Sequence, residues 1–330
     1  MAEAEDAVAD PASRGGPGTL GHAHVGLVAG SDEEFLAGVV PYVEAGLRAG
    51  DTVLLSLPPA TRATITDALG DRTAAVREDS RICMLDTRVA DAMTATREWV
   101  RRAAGTGSGR LRIVGQVQFG TSPRSWHEGL RYEAGANRLL AADPVSVLCL
   151  FDQRVLPPEV LTGVGATHPE LLDRGRLVPS PDFGDQREYA RLLPVPREPV
   201  EDAAPVFLAE DASSLADLRG GLRTVIHARV ADHDQAEDLH FAASEVASNA
   251  FRHGARPVSA RVWVDADRLV CAITDSGIGF DDPFAGFRPA HGDDLALGGM
   301  GLWLARKLWD HVDVLPQPRG VTVRLSARLR

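Results

Sequence analysis

From His22 onward the hydrophobic positions alternate between short continuous runs and four-residue stripes. "HVGLVAG" is a near-continuous apolar run and predicts a strand. In the following "SDEEFLAGVVPYVEAGLRAG" the apolar residues Phe35, Val39, Val43 and Leu47 recur every four, which predicts a helix. Ser31 or Asp32 opens that helix and Gly50 ends it. Pro41, with no N–H to donate, predicts a kink inside it. The alternation continues through "TVLLSL", a helix near 60–69, "RICMLD", a helix near 91–104, "LRIVGQV", a helix around 126–141 and "VSVLCLF". Continuous apolar strands alternating with helices are the pattern of a mostly parallel sheet covered on both faces.

The rhythm stops after Asp173. Pro179, Pro181, Pro194, Pro196 and Pro199 break up residues 174–204, and only "DQREYARLL" offers a short helical or strand piece. This stretch reads as a semi-rigid linker between a domain at 21–173 and a second at 205–330. Residues 1–20 are acidic, lack an apolar core and read as a disordered tail, not a secretory signal.

In the second half, "SSLADLRGGLRTVIHARVA" carries a helical stripe of Leu215, Leu218, Leu222, Val225 and Ile226, opened by a Ser214/Asp217 capping pair. Gly220 and Gly221 cost about 1 kcal/mol each in a helix interior, so tertiary contacts must hold that helix or it bends there. A second helix runs from about Asp234 to His253, with Leu239, Ala243, Val246 and Ala250 as its buried stripe and Gly254 at its end.

Composition narrows the classes. A net charge of −11 disfavours non-specific nucleic-acid binding. No apolar run is long enough to cross a bilayer, and the cytoplasm is the default location. Each of the three cysteines is flanked by apolar residues on an expected strand, which favours buried thiols over a disulfide or metal site. "GTGSGRLRIVG" lacks the Lys-Ser/Thr of a phosphate loop and precedes a strand, so it reads as a turn. His22 and His24, two apart, point to one face; ordinary hydrogen-bonded histidines are the favoured reading.

The candidate chemistry lies in three stretches of the second half. On the helix "SEVASNAFRHG", Glu245 and Asn249 emerge one turn apart on one face. "RLVCAITDSGIGF" is an apolar strand ending in Asp275, followed by Gly277 and Gly279, where backbone can approach a flat or charged ligand. "GGMGLWLARKLW" places Gly298, Gly299 and Gly301 before an apolar-striped helix, whose free N–H groups suit a phosphate.

The order E-x-x-x-N, D-x-G-x-G, G-x-G before a helix resembles the Bergerat ATP-binding fold, an α/β two-layer sandwich, over roughly 206–330. Within it "EVASNAFRHG" is most similar to the anti-sigma-factor serine kinases. The resemblance implies Mg²⁺ held by Asn249, a substrate hydroxyl oriented or deprotonated by Glu245, and adenine read by Asp275 with Thr322 nearby through water. It implies a base pocket shaped by Gly277 and Gly279, phosphates approached at Gly299, Gly301 and Leu302, and a mobile lid over 281–299. His253 reads as a helix-closing residue. His227 lacks the acidic and Arg/Pro context of a phospho-accepting histidine, which argues against a histidine autokinase. Some anti-sigma kinases also carry an Arg just before G-x-G; here Leu297 and Gly298 stand there.

The first half resembles the MEDS sensory domain, on "HAHVGLVAGSDEEFLAGVVPYVEAGLRAGDTVLLSLPP", "RYEAGANRLL", "LFDQRVLPPEVL" and "THPEL". That resemblance implies a RecA-like parallel-sheet fold without its nucleotide loop, sensing an unidentified ligand or partner. Together the two imply an ATP-dependent regulator acting on a sigma factor or a STAS-type anti-anti-sigma protein, with no direct nucleic acid or membrane contact. Anti-sigma kinases of this kind are often homodimers. The alternatives are an ATP-holding module that sequesters its partner without phosphate transfer, and a gyrase- or MutL-type hydrolase, which has no evident transducer domain here.

Overall fold

The computed structural model describes residues 22–85, 87–289 and 300–330. The chain forms two compact units, the first ending at Pro194 and the second beginning at Val195. The expected tail at 1–20 lies outside the described residues.

The first unit contains β1 (Ala23–Ala29), α1 (Asp32–Ala49), β2 (Thr52–Ser56), α2 (Pro59–Leu69), β3 (Arg77–Glu78), α3 (Val89–Ala104), β4 (Leu111–Gly115), α4 (Pro123–Leu139), β5 (Val145–Asp152), α5 (Pro158–Thr167), β6 (Glu170–Asp173), β7 (Arg176–Pro179) and α6 (Gln186–Leu192). Its seven strands lie in the order β3-β2-β4-β5-β1-β6-β7, all parallel except the β6–β7 hairpin. This is the mostly parallel α/β sheet that the alternation predicts. Ser31 caps α1 by accepting from the Glu34 N–H at 3.2 Å, and Gly50 ends it at φ +78°, in the left-handed region. The helix runs through Pro41.

Val25, Leu27 and Ala29 of β1 face the core with Phe35, Val39 and Val43 of α1. A buried ion pair joins this layer to the sheet: Arg112 Nε donates to Asp51 at 2.8 Å, and its guanidinium lies 4.8 Å over the Tyr42 ring. A Cβ at Gly46 would stand 2.5 Å from the Arg112 side chain, so that helix position has to be glycine. The entrance to α1 is acidic, with Asp32, Glu33 and Glu34 in its first turn. The Glu34 carboxylate accepts from the Gly30 N–H at 2.6 Å, and an anion there would meet that carboxylate's charge.

Two expectations fail here, the second only in part. Of "RICMLD", residues 81–85 form a turn, not a strand, and the outer strand is the two-residue β3 before it; Asp86 lies outside the described residues. Polar anchors win over apolar propensity. Asp79 takes a bidentate pair from Arg81, Ser56 Oγ accepts from the Cys83 N–H, and Tyr132 donates to the Ile82 carbonyl. The boundary between the units falls inside the expected linker at 174–204, but much of that stretch is folded. Residues 176–192 form β7 and α6 of the first unit.

The second unit contains β8 (Phe207–Ala209), α7 (Leu215–Arg229), α8 (His233–His253), β9 (Ser259–Val264), β10 (Arg268–Asp275), α9 (Gly301–Leu308), β11 (His311–Pro316) and β12 (Val321–Arg328). Its antiparallel sheet has the order β11-β12-β10-β9-β8. One face packs on the helices: Leu269, Cys271 and Ile273 of β10 and Val323, Leu325 and Ala327 of β12 meet Leu222, Ile226, Leu239, Val246 and Trp309. Each fully buried Leu or Ile among them contributes roughly 1.5–3 kcal/mol. Burial also pushes the Cys271 thiol up to about 12, which leaves it a protonated apolar neighbour. Gly221 of α7 lies under the Phe207 ring, where a Cβ would come within 2.6 Å. Residues 195–203, also expected as linker, cover the opposite face. Val200 packs on Trp263 and Val270, and Glu201 and Asp313 hold the buried Arg324.

Asp79 supplies a test of the first unit. Its partial burial would raise the carboxyl, but hydrogen bonds from Arg81 and Trp99 outweigh that and lower it from 3.8 to about 2. Folding therefore favours the ionised form. The stabilisation is complete above the unfolded value near 4 and is lost as pH falls through about 2. Asp79→Asn lowers the melting temperature at neutral pH, and thermal denaturation across pH should show that deficit shrinking as pH falls below about 4. A deficit that does not change with pH contradicts the assignment.

Candidate functional site

The period-two alternation of β10 decides where its last residue points. Leu269, Cys271 and Ile273 face the helices, so Asp275 does too, at the open end of the layer. It is only 6% exposed. One carboxylate oxygen accepts from the Gly277 N–H at 2.8 Å. The other makes no hydrogen bond among the described residues and is left to accept from a ligand.

Glycines make that position possible. A Cβ on Gly254, just past α8, would stand 2.4 Å from the Asp275 carboxyl carbon. One on Gly277 would stand 2.9 Å from Oδ1 and 3.0 Å from the Gly254 Cα. Gly320 lies against the Asp275 carbonyl, and Gly279 has φ +94°, a backbone state that β-carbon-bearing residues rarely adopt. Asp275 thus sits in a cradle with backbone on three sides.

Asp232 caps α8 by accepting from the Gln235 N–H at 2.9 Å, and the stripe Leu239, Ala243, Val246, Ala250 is buried as its spacing predicts. Glu245 and Asn249 are half-buried, one turn apart, and both face the start of α9. A Cβ on Gly301 would lie 2.6 Å from Asn249 Nδ2 and 3.5 Å from Glu245 Cβ. The Asn249 carboxamide has no hydrogen-bond partner among the described residues. Glu245 stands 3.5 Å from the Arg219 guanidinium of α7. Met300 offers no side-chain cap to α9, so among the described residues the first N–H groups of that helix are uncapped beside Asn249.

An amide oxygen, a carboxylate, a helix N-terminus without a cap and a buried carboxylate in a glycine cradle form a donor set suited to a Mg²⁺–nucleotide. The amide and carboxylate supply hard oxygens, the helix end suits phosphate, and Asp275 suits an amino group.

The remaining expectations divide. Gly298 and Gly299 lie outside the described residues. Leu302 lies beneath Gly286, whose added Cβ would come within 2.6 Å of the Leu302 backbone. The near part of the expected lid is anchored: Phe284 and Phe287 are buried, and Arg306 donates to the Ala285 carbonyl at 2.7 Å. The far part, 290–299, lies outside the described residues. His253 is exposed at the end of α8.

Thr322 is corrected. It pairs with Thr274, hydroxyl to hydroxyl at 2.8 Å, on the sheet face turned away from the helices. The residue opposite Asp275 is Val321. A shift of one position on a strand reverses the face, so Thr322 does not share Asp275's side of the sheet.

Sequence reasoning did not single out Gly254 or Arg219. Gly254 was visible only as a helix stop, and Arg219 meets Glu245 only through the α7–α8 contact.

Comparison with known proteins matches residues 23–169 to the MEDS family (methanogen/methylotroph, DcmR sensory domain) and residues 208–327 to the histidine kinase-like ATPase domain. The serine-protein kinase RsbW of Bacillus subtilis is 36% identical over 108 residues, which cover 29% of this chain and 67% of that protein. RsbW of Bacillus pumilus is 35% identical over 107 residues, 28% of this chain and 65% of that protein. No helix among the described residues is long and apolar enough to cross a membrane.

The glycine cradle gives a direct test. Gly254→Val drives a branched side chain into the Asp275 carboxylate, and nucleotide binding by calorimetry should weaken at least about tenfold with the far-UV spectrum retained. Gly220→Ala, at a helix position with nothing within 4 Å of the new Cβ, should leave binding unchanged and stabilise the chain by about 0.5–1 kcal/mol. Equal binding by Gly254→Val and the unaltered chain contradicts the cradle.

Proposed function

We infer the function from a family: through residues 208–327 the chain belongs to the histidine kinase-like ATPases of the RsbW serine-protein kinase type. It binds Mg²⁺–ATP in the second unit and transfers phosphate to a serine or threonine of a partner protein. The partner is a STAS-type anti-anti-sigma protein, and the regulated target is a sigma factor. The first unit is the sensory part, and the protein acts in the cytoplasm. The observation that supports this reading best is the juxtaposition of Glu245 and Asn249 with the uncapped start of α9.

Each residue has a role in that reading. Asp275 accepts from the adenine amino group. Asn249 holds the metal through its side-chain oxygen. The open N–H groups of α9 approach the phosphates. Bound Mg²⁺–ATP supplies the phosphoryl group and neutralises its charge. Glu245 orients the acceptor hydroxyl and takes its proton, and Arg219 keeps a cation beside that carboxylate. The phosphoserine adds up to two negative charges to the partner surface and breaks its complex.

A second reading is sequestration: the unit holds ATP and captures its partner without transfer. What favours it is the sequence at 297–298, Leu-Gly, where some anti-sigma kinases carry an Arg; losing a charge at a phosphoryl-transfer site can cost several orders of magnitude.

The two readings separate with γ-labelled ATP and a purified anti-anti-sigma protein. Under the first, label appears on the partner, and Glu245→Ala reduces its rate about 10²–10⁴-fold while nucleotide affinity changes little. Complex formation without label transfer assigns sequestration instead.

A further inference from the structure

In the first unit four side chains from separate parts of the chain meet inside the core: His24 of β1, Glu133 of α4, Cys149 of β5 and His168 after α5. All four are at most 4% exposed, and their donor atoms lie within 4.8 Å of one another. His24 Nε2 is 3.1 Å from Glu133 Oε2 and 3.3 Å from Cys149 Sγ. Cys149 Sγ is 3.6 Å, and His168 Nε2 3.8 Å, from the same carboxylate oxygen.

The surroundings fix which ring nitrogens carry hydrogen. His168 Nδ1 lies 3.0 Å from the Val164 carbonyl, which can only accept, so Nδ1 holds the proton and Nε2 presents a lone pair. Nε2 has no hydrogen-bond partner although the residue is fully buried. His24 Nδ1 lies 3.1 Å from Asn137 Oδ1. The Asn137 amide is oriented by donating to the Thr167 carbonyl at 2.7 Å, so Oδ1 accepts from His24 Nδ1 and Nε2 is the nitrogen that faces Glu133 and Cys149. Two imidazole nitrogens, a carboxyl group and a thiol therefore converge. Glu133 Oε1, buried as well, has no partner.

We propose that this cluster is a divalent transition-metal site of zinc type, with His24, Glu133, Cys149 and His168 as its four ligands. Zinc bonds of about 2.0–2.3 Å set the edges of a tetrahedron at about 3.3–3.8 Å. Three of the four distances above, 3.3, 3.6 and 3.8 Å, fall on those edges, the fourth is 3.1 Å, and the remaining two donor pairs lie within 4.8 Å. The donor types fit as well, since imidazole and thiolate suit zinc over magnesium or calcium. Both histidines donate their second nitrogen to an oxygen, the arrangement that orients metal-binding imidazoles. Binding converts the Cys149 thiol to thiolate, and its proton leaves to solvent. A cavity of about 30 Å³ adjoins His24, Glu133 and Cys149, enough for a water-sized molecule beside the ion. The proposal goes beyond the sequence reading of His24 as a hydrogen-bonded histidine and Cys149 as a buried thiol, both of which the structure shows. It is independent of the nucleotide pocket, and either can fail alone.

The test uses the full chain, stripped with a chelator, checked for folding by circular dichroism and titrated with Co²⁺ and then Zn²⁺. One equivalent of Co²⁺ should bind with a near-ultraviolet thiolate-to-cobalt band and visible bands of four-coordinate strength, and Zn²⁺ should displace it. Cys149→Ser should remove the near-ultraviolet band and keep the visible ones, while Cys83→Ser and Cys271→Ser change neither. Asn137→Ala should weaken affinity about 10–100-fold. The partly exposed His227, His233 and Glu237 group contains no thiol, so that band separates the two places. A folded chain that takes up no Co²⁺ with a thiolate band overturns the proposal, whatever the variants do; so does a band that survives in Cys149→Ser.

Discussion

The second unit depends on seating one carboxylate at the end of a buried strand. Asp275 inherits its direction from Leu269, Cys271 and Ile273, and three neighbouring backbone positions must lack a side chain for it to fit. Gly254 belongs to the end of α8, Gly277 to the turn after β10 and Gly320 to the approach to β12, so one constraint ties three connections together. The Gly277 N–H satisfies one oxygen of that carboxylate, and the other is not among the buried polar atoms without a partner, as suits an oxygen that a ligand donor can reach.

The same economy of side chains appears at the other end of the pocket. Gly301 opens α9 without a Cβ, which lets Asn249 approach, while Trp309 near the end of that helix is fully buried and donates to the Leu239 carbonyl of α8 at 3.2 Å. One end of α9 is fixed in the core, and the other is left with open N–H groups beside Glu245 and Asn249. Rigid placement of that kind is what catalysis by positioning requires.

Much of this was legible in the chain because it is local. The four-residue stripe of α8 places Glu245 and Asn249 together, and the apolar run of β10 announces where Asp275 stands. What was not legible depended on pairing across distance. Thr322 was placed beside Asp275 by the family resemblance, but register alone decides that Val321 stands opposite Asp275. "RICMLD" reads as a strand until Asp79, Ser56 and Tyr132 arrive from elsewhere to hold it as a turn. Residues 195–203 look like linker because Pro and charge dominate them, and their burial against Trp263 and Arg324 has no periodic signature. His24, Glu133, Cys149 and His168 are spread over 145 positions of the chain and carry no common spacing.

The central claim is that the second unit is a metal-dependent ATP pocket built on Asp275 and Asn249. A titration of the full chain with a fluorescent ATP analogue, with and without Mg²⁺, beside Asp275→Ala and Asn249→Ala, tests it most directly. The account predicts Mg²⁺-dependent binding by the unaltered chain, at least about tenfold weaker in each variant, corresponding to 1.4 kcal/mol or more. Binding that ignores Mg²⁺ and survives both substitutions contradicts it.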